Sequence, residues 1–366
     1  MFFLILNLAG GLLHAYCAWR VGSLPWVVQH IGVGRWWLLT LIVWLAFAVG
    51  VAIGDHGSNR IAGALAQFSF YWLTVLFLLS SCLLFVDITT AFGLLWGSWV
   101  QPLRAGAVVV AALLVFIALV QGVRAPQLTR YEVSLDGLPR ALDGVTLVAM
   151  SDLHLGTTLG SEWMAARVAQ VQALKPDVIV LIGDLAEGGP QAEPALADVL
   201  RRLRAPLGVW AVTGNHEHYG NTAADIALFE SAGVQWLRDR TVTLRPGLQL
   251  AGVDYGGEWN HDGGADPKLL VKLADGKGAK ILLSHAPANV EEAARAGFGL
   301  MLSGHTHAGQ VWPFGYLVSL RYPWLSGRFS IDGMTLIVGR GTGTWGPRMR
   351  LWRPGEIVLV TLRAKS

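Results

Sequence analysis

The sequence predicts a layered α/β domain preceded by four transmembrane α-helices, with the boundary near Ala125. Charge segregation is the first sign. The 366 residues carry 28 Lys and Arg and 25 Asp and Glu, yet only Arg20, Arg35, Asp55, Arg60, Asp87, Arg104 and Arg124 precede Ala125. Overall composition is the second: 53% of the chain is hydrophobic and 14% charged, against about 25% charge in an ordinary soluble domain. The third is a change of pattern behind Ala125, where short apolar runs alternate with helical stretches. That alternation marks an α/β domain of roughly 240 residues, large enough for its own core. Residues 1–124 are therefore read as a membrane region and 125–366 as a globular one.

Four windows in the front region lack charge and reach the length of about 20 residues that a helix needs to cross a hydrocarbon core. They run from Phe2 to Trp19, Trp36 to Gly54, Phe68 to Val86 and Ala105 to Gly122. Trp26, Trp36, Trp37, Trp96 and Trp99 lie near their ends, where indole rings favour the headgroup level. A signal peptide is the rival reading of the first window, but no basic stretch precedes Phe2 and three apolar spans follow. Arg20, Arg35 and Arg104 on one side, against Arg60, Arg124, Arg130 and Arg140 on the other, do not fix an orientation. His14 is the one acidic or basic residue inside the windows, and its place near a helix end reads as interfacial rather than as part of a proton pathway. The region is expected to anchor rather than transport.

Composition excludes other classes. A net charge of +3 without a Lys/Arg block gives no footprint for nucleic acid. Cys17 and Cys82 both lie in apolar runs, so the globular region has neither a disulfide framework nor a thiolate metal site.

Along the globular region, Arg130 to Leu135 alternates as a strand and Leu138-Pro139 turns. Val145 to Met150 is an apolar strand ending in Ser151-Asp152-Leu153-His154. Ser161 opens a helix with Met164, Val168, Val171 and Leu174 on one face, stopped by Pro176. Val178 to Ile182 ends in Gly183-Asp184, and a helix is expected from Pro190 to Arg204. Val209 to Thr213 ends in Gly214-Asn215-His216-Glu217, before a helix from Thr222 to Ala232 opened by Thr222-x-x-Asp225. Ile281 to Leu283 ends in Ser284-His285, and Leu300 to Leu302 in Gly304-His305-Thr306-His307. Ligands in open α/β sheets bind beyond the carboxyl ends of the strands. Here five strands end at Asp, Asn or His.

Asp152 and His154 are two apart, so an extended chain aims both the same way and one metal can take both. Asp184 adds a carboxylate able to bridge two cations. Asn215 offers a carbonyl oxygen, and His285, His305 and His307 offer imidazoles. An oxygen and nitrogen set without thiolate suits Mn, Fe or Zn in a reactive site rather than a structural zinc cage. His218 and His261 stand outside these clusters and read as ordinary core or surface histidines.

These blocks, D-x-H, G-D, G-N-H-E, H and G-H-x-H in this order, resemble the calcineurin-like metallophosphoesterase superfamily over about Arg130 to Leu362. Ser151-Asp152-Leu153-His154-Leu155-Gly156, Ser284-His285-Ala286-Pro287 and Gly304-His305-Thr306-His307-Ala308-Gly309-Gln310 are similar to its bacterial envelope branch. So is the ending from Gly341-Thr342-Gly343 to Pro354-Gly355-Glu356-Ile357. The resemblance implies a layered β-sandwich flanked by helices. It also implies two divalent metal ions, one on Asp152, His154, Asp184 and His307, the other on Asp184, Asn215, His285 and His305. His216 would then face the substrate. Two cations about 3.5 to 4 Å apart clamp the attacking and leaving oxygens of an in-line displacement, and His216 would protonate or stabilise the leaving oxygen. Glu217 is read either as an acceptor that orients His216 or a metal-held histidine, or as a solvated side chain. The superfamily's protein phosphatases continue G-D with a fixed Asp-Arg-Gly, whereas Leu185-Ala186-Glu187-Gly188 stands here, which argues against that activity.

Two stretches keep two readings each. Gln310 to Phe329 holds Trp312, Phe314, Tyr316, Leu317, Tyr322, Trp324 and Leu325 with Arg321 and Arg328. It is either core packing or a lid that reaches the bilayer beside the metals. Arg340, Arg348, Arg350 and Arg353 are either surface residues or phosphate binders. The expected function is a membrane-anchored dinuclear-metal phosphohydrolase that cleaves a phosphodiester or pyrophosphate bond. A lipid-linked substrate is favoured over a soluble nucleotide or phosphodiester by the anchor, the aromatic stretch and the resemblance to envelope hydrolases of acylated UDP-sugars. The alternative is a non-catalytic membrane protein that uses the phosphoesterase fold as a binding module. The expected location is the cell membrane, multi-pass, with an extracytoplasmic catalytic domain as the exported relatives imply.

Overall fold

The computed structural model describes residues 2–53, 60–156, 158–187, 194–219, 222–255 and 264–365. Two compact units result: Met1–Val123 with Gly346–Leu351, and Arg124–Trp345 with Trp352–Ser366.

The first unit holds α1 (Phe2–Gly22), α2 (Pro25–His30), α3 (Val33–Ile53), α4 (Arg60–Thr89) and α5 (Val100–Gly122). Among the described residues, three segments are long and apolar enough to cross a membrane: Val33–Ile53, Ile61–Thr89 and Gly97–Gly122. Among the described residues three such segments stand where four were expected, the first window being the one left out. The first window does form a helix, α1, but Asn7, His14 and Arg20 interrupt its apolar run. It still packs: Cys17 of α1 shares a buried cluster with Leu76, Leu83 and Val86 of α4 and Ala107 of α5.

The third window stops at Val86 because Asp87 is charged, yet α4 runs on to Thr89 with Asp87 fully buried. Arg20 Nε lies 2.7 Å from Asp87 Oδ2 and Arg104 Nη2 lies 2.8 Å from Oδ1. The Tyr16 hydroxyl donates to Oδ2 at 2.8 Å. Two helices, α1 and α5, thus supply the carboxylate on α4 with its donors, which is the condition for burying a charge. His14 likewise finds its partners on other helices. It is buried, with Nε2 2.9 Å from the Thr40 carbonyl oxygen and Nδ1 accepting from the Trp72 indole at 3.2 Å. Both departures share a cause: a window along the sequence counts polarity residue by residue, while partners on other helices neutralise it.

Gly346–Leu351 returns to the same helices. The Arg350 N–H donates to the Ala118 carbonyl at 2.9 Å and the Arg348 N–H to the Tyr71 hydroxyl at 3.2 Å, with Met349 and Leu351 buried.

The second unit is a sandwich of two six-stranded mixed sheets. The first sheet runs in the order β1 (Gln127–Leu135), β12 (Glu356–Ala364), β2 (Thr146–Met150), β3 (Val178–Ile182), β4 (Val209–Val212), β5 (Gln235–Trp236). The second runs β10 (Gly327–Ile331), β11 (Met334–Val338), β9 (Leu300–Ser303), β8 (Ala279–Leu283), β7 (Leu248–Gly252), β6 (Arg240–Arg245). Val133, Leu147, Val178 and Val212 of one sheet meet Leu250, Ile281, Leu300 and Ile337 of the other in the central core.

The outer face of the first sheet is covered by α6 (Ser161–Gln172), α7 (Pro194–Leu200) and α9 (Thr222–Ser231), and that of the second by α10 (Pro267–Leu273) and α11 (Val290–Ala296). Both faces of each sheet are therefore covered, which explains why β3, Val-Ile-Val-Leu-Ile, is apolar and buried throughout. Of the helix expected from Pro190, residues 190–193 lie outside the described residues. Strands β2, β3 and β4 pair in parallel, as do β7, β8, β9 and β11, so their carboxyl ends share one edge of each sheet.

Asp87→Ala removes the counter-charge of Arg20 and Arg104 while both remain buried. A loss of about 3 to 5 kcal/mol is expected, read as a lower melting temperature of the full chain in detergent, with a smaller loss for Asp87→Asn.

Candidate metal centre

The strand ends supply the site because the chain leaves them in conformations that turn side chains inward. Asp152, His154, Asp184, His305 and His307 all have positive φ, between 46° and 69°. For residues with a Cβ, this left-handed region costs of order 1 kcal/mol or more each. Cross-loop bonds hold it. The Asp152 N–H donates to the Gly183 carbonyl and the His154 N–H to the Asp184 carbonyl, both at 3.0 Å. The carboxylates also accept from the main chain: Asp152 Oδ1 from His305 N–H at 3.0 Å, and Asp184 Oδ1 from His216 N–H at 2.9 Å.

The approach is close enough to require glycine at two positions. A Cβ on Gly214 would lie 2.2 Å from Asp184 Oδ1, and one on Gly183, whose φ is 70°, would lie 2.5 Å from His285 Nδ1.

All seven expected ligand residues are buried or half-buried at these loops. Asp152, His154 and His307 form one group able to hold a cation, and Asp184, His285 and His305 another, with the ligand atoms of each group within 4.8 Å of one another. In the first, His154 Nε2 lies 3.1 Å from His307 Nε2, which lies 3.3 Å from Asp152 Oδ1. In the second, His285 Nε2 lies 3.1 Å from Asp184 Oδ2 and 3.2 Å from His305 Nδ1. Asp184 Oδ2 also lies 3.9 Å from His154 Nε2, so one carboxylate faces both groups.

Asn215 opens α8 (Asn215–Tyr219), and its Oδ1 is buried without a hydrogen-bond partner. An orphaned carbonyl oxygen beside converging imidazole nitrogens fits a divalent cation, which takes lone pairs and needs no donor. The His285 Nδ1 lies 2.8 Å from the Ile182 carbonyl oxygen. That oxygen can only accept, so Nδ1 carries a proton, and Nε2 is the nitrogen that would offer its lone pair to a cation.

The electrostatics agree with a cation site. Burial works against charge on Asp152 and Asp184, yet His307 beside the first and His285 beside the second hold both well below the usual carboxylate range. Burial opposes protonation of His285 too, but Asp184 and then Asp152 push it up to about 10. His305 is pulled down to about 4 by burial and by the neighbouring His285. Burial also draws His216 below its ordinary value.

Sequence reasoning missed several partners. Glu187 Oε1 lies 2.8 Å from His154 Nδ1 and 3.8 Å from His216 Nδ1, so these three form a further cluster. Its only signal was its place three residues beyond Asp184. The Tyr322 hydroxyl lies 3.0 Å from His305 Nε2, which turns Nδ1 toward His285. The Tyr255 ring centroid lies 5.8 Å from that of His285, and the Trp345 centroid 6.4 Å from that of His216.

Glu217 is not solvated. It is fully buried and accepts from the N–H groups of Asp184 at 2.9 Å, Leu185 at 2.6 Å, Ala186 at 3.4 Å and Gly214 at 2.6 Å. His218 lies outside the two groups, 3.9 Å from Asp254, and His261 lies outside the described residues. Of the four C-terminal arginines, Arg340 pairs with Glu356 at 3.0 Å and Arg350 is buried among the helices, so neither is a free surface residue.

Two sheets facing across a core, with Asp, Asn and His gathered at the carboxyl ends of their strands, define the class of metallophosphoesterases. The profile of the calcineurin-like phosphoesterases matches residues 145–309. A transmembrane protein with a metallophosphoesterase domain from Danio rerio is 32% identical over 278 residues, 70% of this chain and 62% of that protein. The chain thus spans about three fifths of the length of that relative. An uncharacterized metallophosphoesterase of Aquifex aeolicus is 33% identical over 65% of this chain and 92% of its own length. The crystal structure of a dimetal phosphatase from Danio rerio aligns with a TM-score of 0.35 and 14% identity, over 55% of this chain and 88% of that one. The chain belongs to the calcineurin-like metallophosphoesterase family.

Glu217→Ala strips the acceptor from main-chain donors that stay buried, at about 1 to 3 kcal/mol for each one left unpaired. The expected result is a markedly lower melting temperature together with weaker metal retention on dialysis, because the loop that carries Asp184 loses its brace.

Proposed function

We propose that this protein is a membrane-anchored, multi-pass hydrolase that uses two divalent cations, Mn, Fe or Zn, to cleave a phosphodiester or pyrophosphate bond of a lipid-linked substrate. The observation that carries the proposal is the position of Asp184 Oδ2 between the two groups, 3.1 Å from His285 Nε2 and 3.9 Å from His154 Nε2. Asp152, His154, Asp184 and His307 would hold one cation, and Asp184, Asn215, His285 and His305 the other. When bound, such a pair supplies positive charge to the phosphoryl oxygens and a water that is nucleophilic near neutral pH.

The chain's own residues do the rest. His216 sits between the Glu187 carboxylate and the Trp345 ring, where its ring can hydrogen-bond or protonate the leaving oxygen. Glu187 orients His154 and stands beside His216. Glu217 fixes the Asp184 and Gly214 turns, so the carboxylate needs no reorganisation as charge develops. The alternative, a binding module without catalysis, would tolerate loss of ligands. All seven are present and gathered, which favours hydrolysis. The three segments long and apolar enough to cross a membrane support the anchor, and the resemblance to exported enzymes supports an extracytoplasmic catalytic unit.

The test is a panel of substrates with the full chain loaded with metal: a chromogenic bis-phosphodiester, a monoester and a nucleotide-sugar lipid. Preference for the diester or the lipid pyrophosphate is expected, and no hydrolysis of any of them by metal-replete protein would refute the reading. Asp184→Ala is expected to lower the content of both metals, measured by elemental analysis. His216→Ala is expected to keep both metals while turnover falls by about 10²- to 10⁴-fold.

A further inference from the structure

The stretch after His307 divides in two. Trp324 packs on Phe329, with ring centroids 5.1 Å apart, against the core of the second sheet. The part around α12 (Gly315–Ser319) does the opposite: Phe314, Tyr316, Leu317 and Leu320 are exposed, Leu320 at 84% and Tyr316 at 69%. Trp312, also exposed, lies beside Trp352 with ring centroids 5.1 Å apart and planes tilted by 55°.

An apolar face of this kind is costly in water and marks an interaction surface. Its base is fixed to the metal centre. The Tyr322 hydroxyl meets His305 Nε2 at 3.0 Å, the Thr306 hydroxyl donates to the Leu325 carbonyl at 2.6 Å, and Gln310 exchanges two bonds with the Trp345 main chain at 2.9 and 3.0 Å.

We infer that this face, with Tyr316, Leu317 and Leu320 at its tip, inserts into the surface of the bilayer and so presents the metal centre to phosphate groups carried on lipids. The inference rests on the proposed hydrolase reading, whose substrate class it specifies. Three features of this chain select a bilayer as the occupant. Three helices of the same chain are long and apolar enough to cross one. Only four residues separate α5 from β1, a reach of about 18 Å at full extension, so the second unit is tethered by a short link to a helix of membrane-crossing length. The face also combines indole and phenol rings with aliphatic side chains, and the exposed Arg321 follows it directly, the composition favoured at the headgroup level.

The test uses the full chain in a Cys17→Ala, Cys82→Ala background, reconstituted into phosphatidylcholine and phosphatidylglycerol vesicles. Spin labels are placed at Tyr316→Cys, Leu320→Cys and, as a reference, Val271→Cys, which is 64% exposed on α10. Labels at 316 and 320 should be several-fold more accessible to oxygen relative to a water-soluble nickel chelate than the label at 271. Equal, water-like accessibility at all three positions would overturn the inference. So would dipolar broadening between labels of two chains, which would make a second copy the occupant. Hydrolysis of the soluble diester is measured in parallel. Lipid contact without any hydrolysis would sink the catalytic reading and keep the docking surface, whereas hydrolysis without lipid contact would do the reverse.

Discussion

Burying the Asp184 carboxylate between two groups of imidazoles constrains most of the second unit. A buried carboxylate stays charged only if positive or donor groups surround it. Asp184 has His285 on one side, His154 on the other and the His216 N–H below. To bring those partners in, β3, β4 and β8 must end at the same edge, and their loops must turn at once. The positive φ values of Asp184 and Gly183 are the local cost of that turn. Glu217 is a second buried carboxylate close to the first, and burial together with Asp184 raises its proton affinity. Four main-chain donors offset that repulsion, so the repulsive pair also makes the turn rigid. Rigidity of this kind lets fixed charges act on a transition state without reorganising.

The helical unit is governed by a related constraint. Asp87, Arg20 and Arg104 come from three helices, and each alone would be expensive in an apolar bundle. Together they satisfy the carboxylate and tie the ends of α1, α4 and α5. His14 and Trp72 do the same at another level. Polar side chains here do not interrupt the helices; they specify which helix neighbours which.

What was legible in the sequence follows from this difference between local and distant partners. The gathering of the candidate ligands was legible because each sits just after an apolar strand, so local order places Asp152, Asp184, Asn215, His285, His305 and His307 at a sheet edge. Strand length and the alternation with helices likewise gave the layered architecture. Glu187, Tyr322 and Tyr255 were not legible as site residues, because what places them is a loop path through space rather than a repeating period. Glu217 was ambiguous for the same reason: a glutamate after Gly-Asn-His can point to solvent or inward, and only the turn at Asp184 decides. The span boundaries failed where a charge had a partner on another helix, since no window along one helix contains that partner.

The aromatic stretch after His307 shows why a composition can support two readings that are both partly right. Trp312 and Trp324 are twelve positions apart with similar neighbours in sequence, and no period separates them. Their fates diverge because the chain is pinned at Tyr322 by His305, between the two, and at Leu325 by Thr306, just beyond Trp324. Beyond the second pin, β10 and β11 form a hairpin that needs an aromatic cover, and Trp324 supplies it against Phe329. Before the first pin, α12 is too short to wrap its own apolar side chains, and the second sheet's face is already covered by α10 and α11. Leu317 and Leu320 are left facing outward for want of remaining core. The same pins tie the base of that outward face to His305 and Thr306, so the face is anchored directly beside the candidate metal ligands.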